Sequence, residues 1–364
     1  MKIAIDCREL IDHPTGISRL LSEFISFASA SREIELKLLG NRDTRFPDLE
    51  SPNIEKIVIN QGITLFWDQV KLLKALNRLK PDIFFSPYYK TPLLLSIPAV
   101  ISIFDITYLL VEPYKSSPVN FIYYRNFIKL AARSAKTVLT CSFSTKTDLM
   151  RHLGIPEKKI EVVHFFVGRM FKKEAVDKID KLKTTFGIKG KYILYVGNSN
   201  PHKNLERLIA AYRALPENTR GEYKLVLAGL RPDFIEKAGN RGADVIVLSY
   251  ISDDDLPALY SGAGLFVFPS LYEGFGMPPL EAMACGCPVV SSNTSSMPEI
   301  LGDACLYFDP SDTENITRSI LKALNDDGIR KGMAEKGTAR AALYTPGKTI
   351  EKLLFVFNKI CEAY

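Results

Sequence analysis

PSLYEGFGMPPLEAMACGCP, residues 269–288, carries the features from which the rest of the chain is read. Ser270, Gly274 and Gly276 let the backbone turn sharply, and Pro278 and Pro279 then hold φ near about −65°, which starts a helix. Gly286 supplies the left-handed residue that ends it, and the apolar run from Pro288 reads as a buried strand. Glu273 precedes the helix, and Glu281 falls in its predicted first turn. A helix start carries a positive field of roughly half a charge, so a flexible loop feeding one cradles an anion such as a phosphate. An ionised carboxylate accepts hydrogen bonds only and would repel that phosphate. Glu273 and Glu281 therefore suit the hydroxyls of a ribose or sugar beside it. Taken alone, Glu281 reads equally well as a residue matching the helix dipole. Glu273, between Tyr272 and a Gly-Phe-Gly turn, has no such task from helix physics.

Around this stretch lies a chain of 364 residues, 46% hydrophobic and 24% charged, with the composition of a globular protein and the length of two domains. The longest apolar reach, residues 93–104, is broken by Ser96, Pro98 and Ser102 and is too short to span a bilayer. Met1 and Lys2 run directly into the strand-like IAIDC, which leaves no room for a secretory signal and predicts cytoplasmic residence. The six cysteines sit mostly in apolar runs, and Cys285 and Cys287 are too close for a disulfide framework, so reduced thiols are expected. His13, His152, His164 and His202 lack a metal spacing, so no bound zinc is expected. The net charge is +6, and its excess lies within residues 1–170. That half either presents scattered solvated lysines or faces an anionic membrane surface or acidic acceptor. No dense basic block with interleaved aromatics is present, which argues against nucleic acid.

Taken in order, the first half alternates strand and helix. Strands are predicted at 3–7, 34–39, 57–59, 82–87, 99–105, 137–142 and 161–165. Helices are predicted after the turn-like HPTG and at 66–79, 119–134 and 145–153. Such alternation predicts a parallel sheet covered by helices, with ligands at the carboxyl ends of the strands. Gly16 and Asp105 lie at such ends. A lysine-rich, less regular stretch at 166–190 marks the domain boundary. The second half repeats the pattern, with strands at 192–196, 224–228, 245–248, 265–268, 288–291 and 305–308. Its helices are expected at 204–214, near Phe234, at 254–261 and at 313–324. A last helix, 349–361, follows the breakers Pro346 and Gly347 and is expected to pack back on the first domain. The predicted division is 1–170 with 347–364, and 171–346.

YVGNSNPHKN puts Gly197, Asn198 and Lys203 in the loop after the second domain's first strand. Lys203 reads either as a surface lysine or as the cation that neutralises a phosphate held at a neighbouring helix start. Its loop and that of Glu273 follow strands at one edge of one parallel sheet. Asp253, Asp254 and Asp255 resemble a Mg²⁺ cluster, but Ser252 before them reads as a cap with dipole-matching acids. Neither a dinucleotide-binding glycine turn nor a phosphate-loop signature is present.

EGFGMPPLEAMACGCPVV, residues 273–290, resembles the signature of retaining glycosyltransferases of the GT-B fold, family 4, with two glutamates separated by seven residues. The resemblance extends through YVGNSNPHKNLERLI, LAG at 227–229, SDDDLPALYSGA and SSMPEILGDACLYFDP, and more loosely through TGISR and SIFDITYL in the first half. It implies two Rossmann-like α/β domains with parallel sheets facing across a cleft, the acceptor held by the first and the nucleotide-sugar by the second. It further implies that Glu273 contacts hydroxyls of the transferred sugar, and that the backbone of Phe275, Gly276 and Met277 lines the sugar and phosphate site. Glu281 would hold the ribose, Lys203 would bind and stabilise the departing diphosphate, and Gly16 would let the first domain's loop close over it. No divalent metal or other cofactor is implied.

Two positions depart from the family pattern. Many members carry Arg where this chain has Asn198, so one phosphate cation is missing or supplied elsewhere. Many carry His, contacting the sugar near C6, where this chain has Phe104 just before Asp105; an apolar wall there suits a 6-deoxy sugar or marks a different acceptor geometry. The pattern is most similar to bacterial mannosyltransferases of polysaccharide assembly, which makes GDP-mannose the first expected donor and a glycan, plausibly lipid-linked at the inner membrane face, the expected acceptor. A nucleotide-sugar epimerase, a sugar-phosphate synthase and a non-catalytic sugar-binding protein are the alternatives.

Overall fold

The strands at Ile83–Ser86, Ala99–Ser102 and Leu265–Phe268 are buried at every position, the mark of strands covered on both faces. In the computed structural model, which describes residues 1–12, 15–60, 64–115, 118–230 and 244–363, they form the middle of two sheets. The chain divides into two compact units, Met1–Phe166 with Pro346–Tyr364, and Val167–Thr345.

The first unit holds β1 (Lys2–Asp6), β2 (Glu35–Gly40), β3 (Ile54–Val58), β4 (Ile83–Ser86), β5 (Ala99–Ser102), β6 (Thr137–Thr140) and β7 (Ile160–Val162) in the order β3-β2-β1-β4-β5-β6-β7. All described pairings in this sheet are parallel. Alternation along β1 sends Ile3 and Ile5 to one face and Ala4 to the other. On the first face they meet Leu21, Phe24 and Ile25 of the helix Gly16–Ser29, together with Leu353 and Phe357 of the C-terminal helix Pro346–Glu362. Phe357 is edge-on to Phe24 and Phe85, with ring centroids at 5.8 and 5.4 Å. On the second face Ala4 and Phe84 pack against Trp67, Leu72 and Leu76.

The second unit holds β8 (Lys191–Val196), β9 (Tyr223–Ala228), β10 (Val245–Val247), β11 (Leu265–Phe268), β12 (Val289–Ser292) and β13 (Leu306–Phe308) in the order β10-β9-β8-β11-β12-β13, again with parallel pairings. Its core joins Leu208 and Tyr212 of the helix Leu205–Arg213 to Ile316 and Ile320 of the helix Thr313–Asn325 across β8, β9 and β11. The doubly wound parallel sheets are those of the GT-B fold.

Several local readings are corrected. The helix expected at 66–79 is interrupted by a π-helical segment, Trp67–Lys71, between Thr64–Phe66 and Leu72–Leu79. The helix expected at 254 starts at Leu256, because Ser252 caps the preceding turn through its Oγ, which accepts from the Asp255 amide at 3.2 Å. The last helix begins at Pro346 itself, since proline is pre-set for a first helical turn. The helix predicted near Phe234, with His13 and Pro14 of the HPTG turn, lies outside the described residues. All six cysteines are free thiols, and only Cys361 is not fully buried.

Candidate functional site

In the second sheet the strand order reverses between β8 and β11, so the loops leaving their carboxyl ends diverge and open a crevice. Lys203 comes from the first loop, in a short 3₁₀ turn Pro201–Lys203, and Glu273 from the second. Lys203 Nζ donates to Glu273 Oε1 at 2.5 Å, with the two side chains only 12% and 14% exposed. The ammonium also lies 5.5 Å from the ring centroid of Phe268 at the end of β11, a cation–π contact that helps hold it in place.

The supports of this pair are local and polar. Asn204 adopts a left-handed conformation, φ 59°, and its Nδ2 donates to the carbonyls of Pro269 (3.0 Å) and Pro310 (2.8 Å). One side chain thereby ties together the loops after β8, β11 and β13. The Leu271 amide donates to the His202 carbonyl at 2.8 Å. The Glu273 amide donates to Ser295 Oγ at 2.9 Å, and Ser296 Oγ donates to the carbonyls of Glu273 (2.9 Å) and Phe275 (3.2 Å). Beneath the first loop, fully buried Tyr195 donates from Oη to the Asn198 carbonyl at 2.9 Å. Burial, and then the neighbouring charge of Glu273, push this phenol well above its ordinary value, so it remains a donor. A Cβ on Gly197 would lie 2.6 Å from that Oη.

Gly276 precedes the helix Met277–Ala284 with φ 95°, a conformation that penalises any residue with a Cβ; a Cβ there would also meet Met297 Cε at 2.3 Å. Met277 is the first helical residue, so the helix start carries fewer amides than a simple helix-dipole cradle supplies: Pro278 and Pro279 have no N–H to offer. An anion here would depend on the loop backbone and on Lys203. At the far end, Gly286 and Cys287 donate to the carbonyls of Met283 (3.0 Å) and Ala282 (2.9 Å), the paired bonds of a Schellman ending.

The placement of Glu281 is corrected. It is the fifth helical residue, past the first turn, so it does not match the dipole of the helix start. It is 4% exposed, and its Oε2 accepts from Tyr260 Oη at 3.0 Å. Asn198 is exposed, its Oδ1 accepting from the Asn200 amide at 3.0 Å in a local turn. Phe275 points its side chain into the core, 3% exposed and edge-on to Tyr344, leaving only its backbone for a ligand. Met277 is half-buried.

Gly16, Phe104 and Asp105 belong to the first unit. Gly16 opens the helix Gly16–Ser29 behind a capping box made by Thr15 and Ser18. Half-buried Phe104 stacks at a tilt on Phe165, ring centroids 4.7 Å apart, and its carbonyl accepts from Cys141 Sγ and Thr145 Oγ1. Asp105 is exposed, and its Oδ1 accepts from the Thr107 amide at 2.9 Å. Residues to which the sequence gives no role at the site are Asn204, Ser295 and Ser296, which fix the loops, and Ser199, while Ser270 reads from the sequence only as a turn residue. The buried hydroxyls of Ser199 and Ser270 have no hydrogen-bond partner among the described residues. Among the described residues no three His, Cys, Asp or Glu side chains gather as for a metal ion, and no helix is long and apolar enough to cross a membrane.

Residues 176–340 match the family described as glycosyl transferases group 1, and residues 16–167 match glycosyltransferase family 4. The chain is 33% identical to the O-antigen chain mannosyltransferase B of Escherichia coli over 95% of its own length and 96% of that protein's. Among solved structures it resembles sucrose-phosphate synthase from Thermosynechococcus elongatus, with a TM-score of 0.80 at 18% identity and 100% of both chains covered. It also resembles Anabaena HepE, solved in complex with UDP and glucose, with a TM-score of 0.77 at 19% identity and 99% and 100% covered.

Proposed function

We propose, for a chain that belongs to the group 1 and family 4 glycosyltransferases, that it moves a hexose from a nucleotide-sugar to a glycan or lipid-linked glycan in polysaccharide assembly. In this reading the anomeric configuration is retained and no divalent metal takes part. The observation that carries it is the Lys203–Glu273 pair at the reversal point of the second sheet. A cation and an acceptor-only carboxylate side by side match the two ends of the bond to be broken: a departing diphosphate that gathers negative charge, and a sugar rich in hydroxyl donors.

On donor entry the Lys203 ammonium exchanges Glu273 for the diphosphate, and Glu273 turns to the sugar hydroxyls. The loop backbone at Gly276 and Met277, with Gly197 and Asn198 opposite, lines the phosphate path, and the unclaimed hydroxyls of Ser199 and Ser270 add donors. Glu281 holds the ribose, with Tyr260 keeping its carboxylate oriented. The second unit thus serves as the donor domain. The first unit receives the acceptor, and Gly16, Phe104 and Asp105 are its residues assigned to that task.

The mannosyl relative supports GDP-mannose as the donor. Phe104 in place of a polar residue favours a sugar lacking the C6 hydroxyl, and turnover of GDP-mannose against a 6-deoxy donor decides between them. The basic excess of residues 1–170 suits the anionic cytoplasmic face of a membrane that carries a lipid-linked acceptor.

The experiment is a melting screen with UDP, GDP and ADP, followed by nucleotide release from the matching sugar donor. A ligand at a hundred times its Kd stabilises by about 2.7 kcal/mol, so one diphosphate is expected to raise the Tm of the wild type and not that of Lys203→Ala. A chain stabilised by none of the three, and releasing none from a donor, does not have this function.

A further inference from the structure

The first sheet has a reversal point of its own, between β1 and β4, and there too the diverging loops leave a cavity, of about 190 Å³. Arg8 and Glu9 reach it from the loop after β1, and Tyr88 and Lys90 from the loop after β4. Its floor is a fixed ion cluster. Arg8 pairs with Asp6 at 2.5 Å and with Asp68 at 2.7 Å, and its guanidinium lies 3.7 Å from the ring centroid of Trp67. Trp67 and Asp68 belong to the π-helical segment, and both are buried. The extra residue in that turn is where the helix delivers the second carboxylate to Arg8.

With Arg8 committed twice, Glu9 and Lys90 are left facing the cavity. Both are half-buried, and neither side chain makes a hydrogen bond or ion pair among the described residues. Burial raises the Glu9 carboxyl, while Lys90 opposes that rise. Lys90 Nζ lies 5.3 Å from the ring centroid of Tyr88, but a half-buried carboxylate and ammonium with no hydrogen bond are costly unless a ligand supplies donors and acceptors.

The charge pattern selects the ligand. An anion would meet Asp6 and Glu9, and a cation would meet Arg8 and Lys90. An apolar group would leave both charges without hydrogen bonds. A polyol satisfies both, because each hydroxyl donates to the carboxylate and accepts from the ammonium. The space, about 190 Å³ and open to solvent, has room for a sugar ring.

The geometry points to a subsite in which an uncharged hexopyranose of the acceptor glycan is held, with Glu9 and Lys90 reading its hydroxyls. The assignment rests on the glycosyltransferase reading and adds to it the acceptor's chemical class and the side chains that select it.

The test uses the full chain and saturation-transfer NMR with methyl α-D-mannopyranoside, mannose 6-phosphate and methyl glucuronide as probes, beside the nucleoside diphosphate melting screen. Saturable binding of the neutral glycoside is expected in the wild type, weakened about tenfold in Glu9→Gln and in Lys90→Met, each with an unchanged Tm and unchanged response to nucleotide. Absence of saturable binding in the wild type, or binding undiminished in both variants, overturns the subsite. Tighter binding of either charged probe overturns the neutral-sugar assignment. Failure of every nucleotide to stabilise the chain counts against the transferase reading alone, since the glycoside arms are read without donor.

Discussion

Lys203 Nζ and Glu273 Oε1 are 2.5 Å apart although their residues are 70 apart in sequence. The cation that suits a diphosphate therefore already has a carboxylate partner before any ligand enters, which holds both side chains in place and leaves neither charge unpaired in a mostly buried site. Removing one partner strands the other. Lys203→Ala and Glu273→Gln are expected to lose at least about a hundredfold in kcat/KM, the size seen when a transition-state donor is removed. Each should also lose stability on the order of 1–4 kcal/mol, between the values for exposed and buried pairs. A double-mutant cycle in urea unfolding and turnover checks both, and a coupling energy near zero would refute the pairing.

Gly276 combines φ 95° with a Cβ position 2.3 Å from Met297 Cε. Gly276→Ala should destabilise by about 1–2 kcal/mol for the left-handed backbone alone, with the methionine clash in addition. Adding Met297→Ala relieves the clash and not the backbone cost. Met297 is itself fully buried, so thermal unfolding of both single variants and the double variant separates the contributions, and a stable, fully active Gly276→Ala chain would contradict the clash and the backbone cost alike.

Tyr260 Oη and Glu281 Oε2 are 3.0 Å apart inside the second unit. Tyr260→Phe is expected to cost about 1–3 kcal/mol by leaving a buried carboxylate short of one donor. Glu281→Gln should weaken nucleoside diphosphate binding by about tenfold, through lost charge-assisted bonds to the ribose. Calorimetric titration decides; equal affinity for ribo- and 2′,3′-dideoxynucleotides in the wild type would remove Glu281 from the site.

Burial pushes the thiols of Cys285 and Cys305 up to about 12, the first with further help from the nearby Glu281 charge, and raises those of Cys7 and Cys287 well above the ordinary thiol value. At pH 8 these groups remain thiols, shielded from reagent. Maleimide should label the native chain at Cys361, the one cysteine not fully buried, and slowly because burial raises that thiol also. Mass spectrometry before and after denaturation counts the labels, and rapid modification of Cys285 or Cys287 would contradict the packing.

Glu161 receives Lys359 at 3.1 Å and Lys352 at 3.4 Å from the C-terminal helix. Burial alone would raise its carboxyl, but the two ammonium groups outweigh that and hold it below the usual range. Its folded value thus lies below its unfolded one, so the stabilisation is fully present above about pH 4.3 and is lost as pH falls through the folded value. For a partly exposed pair it amounts to about 0.2–1 kcal/mol. Hydrogen exchange in Pro346–Glu362 should be faster in Glu161→Gln than in the wild type at pH 7, and the difference should vanish at low pH. A difference that persists there would exclude the ion pair as its cause.

The sheets were legible because strands buried on both faces leave continuous apolar runs, as in IFFS and LFVF, and helices between them leave an amphipathic period. That the Lys203 and Glu273 loops share one sheet edge followed from this alternation. The misreadings have local causes. Glu281 was counted from Pro278 as a helix start, whereas Gly276 takes the cap position and Met277 begins the helix, which moves Glu281 beyond the first turn. The π segment Trp67–Lys71 has no pattern of its own; it is stabilised by Arg8, whose partner Asp68 is 60 residues away. Asn204 was within reach, because an asparagine closing a short turn tolerates the left-handed region. Its bond to Pro310 spans 106 residues and was not.

The helix Pro346–Glu362 finishes the interior around Phe24 and Phe85, although residues 167–345 separate it from the rest of its unit. At about 5–20 residues per second, the intervening 167–345 take on the order of ten to forty seconds to synthesise. Throughout that interval Leu21, Phe24 and Phe85 stand uncovered along one side of a half-built sheet. The nascent chain is therefore a client for chaperones until that helix is made, and translation stopped before residue 346 is expected to yield aggregate.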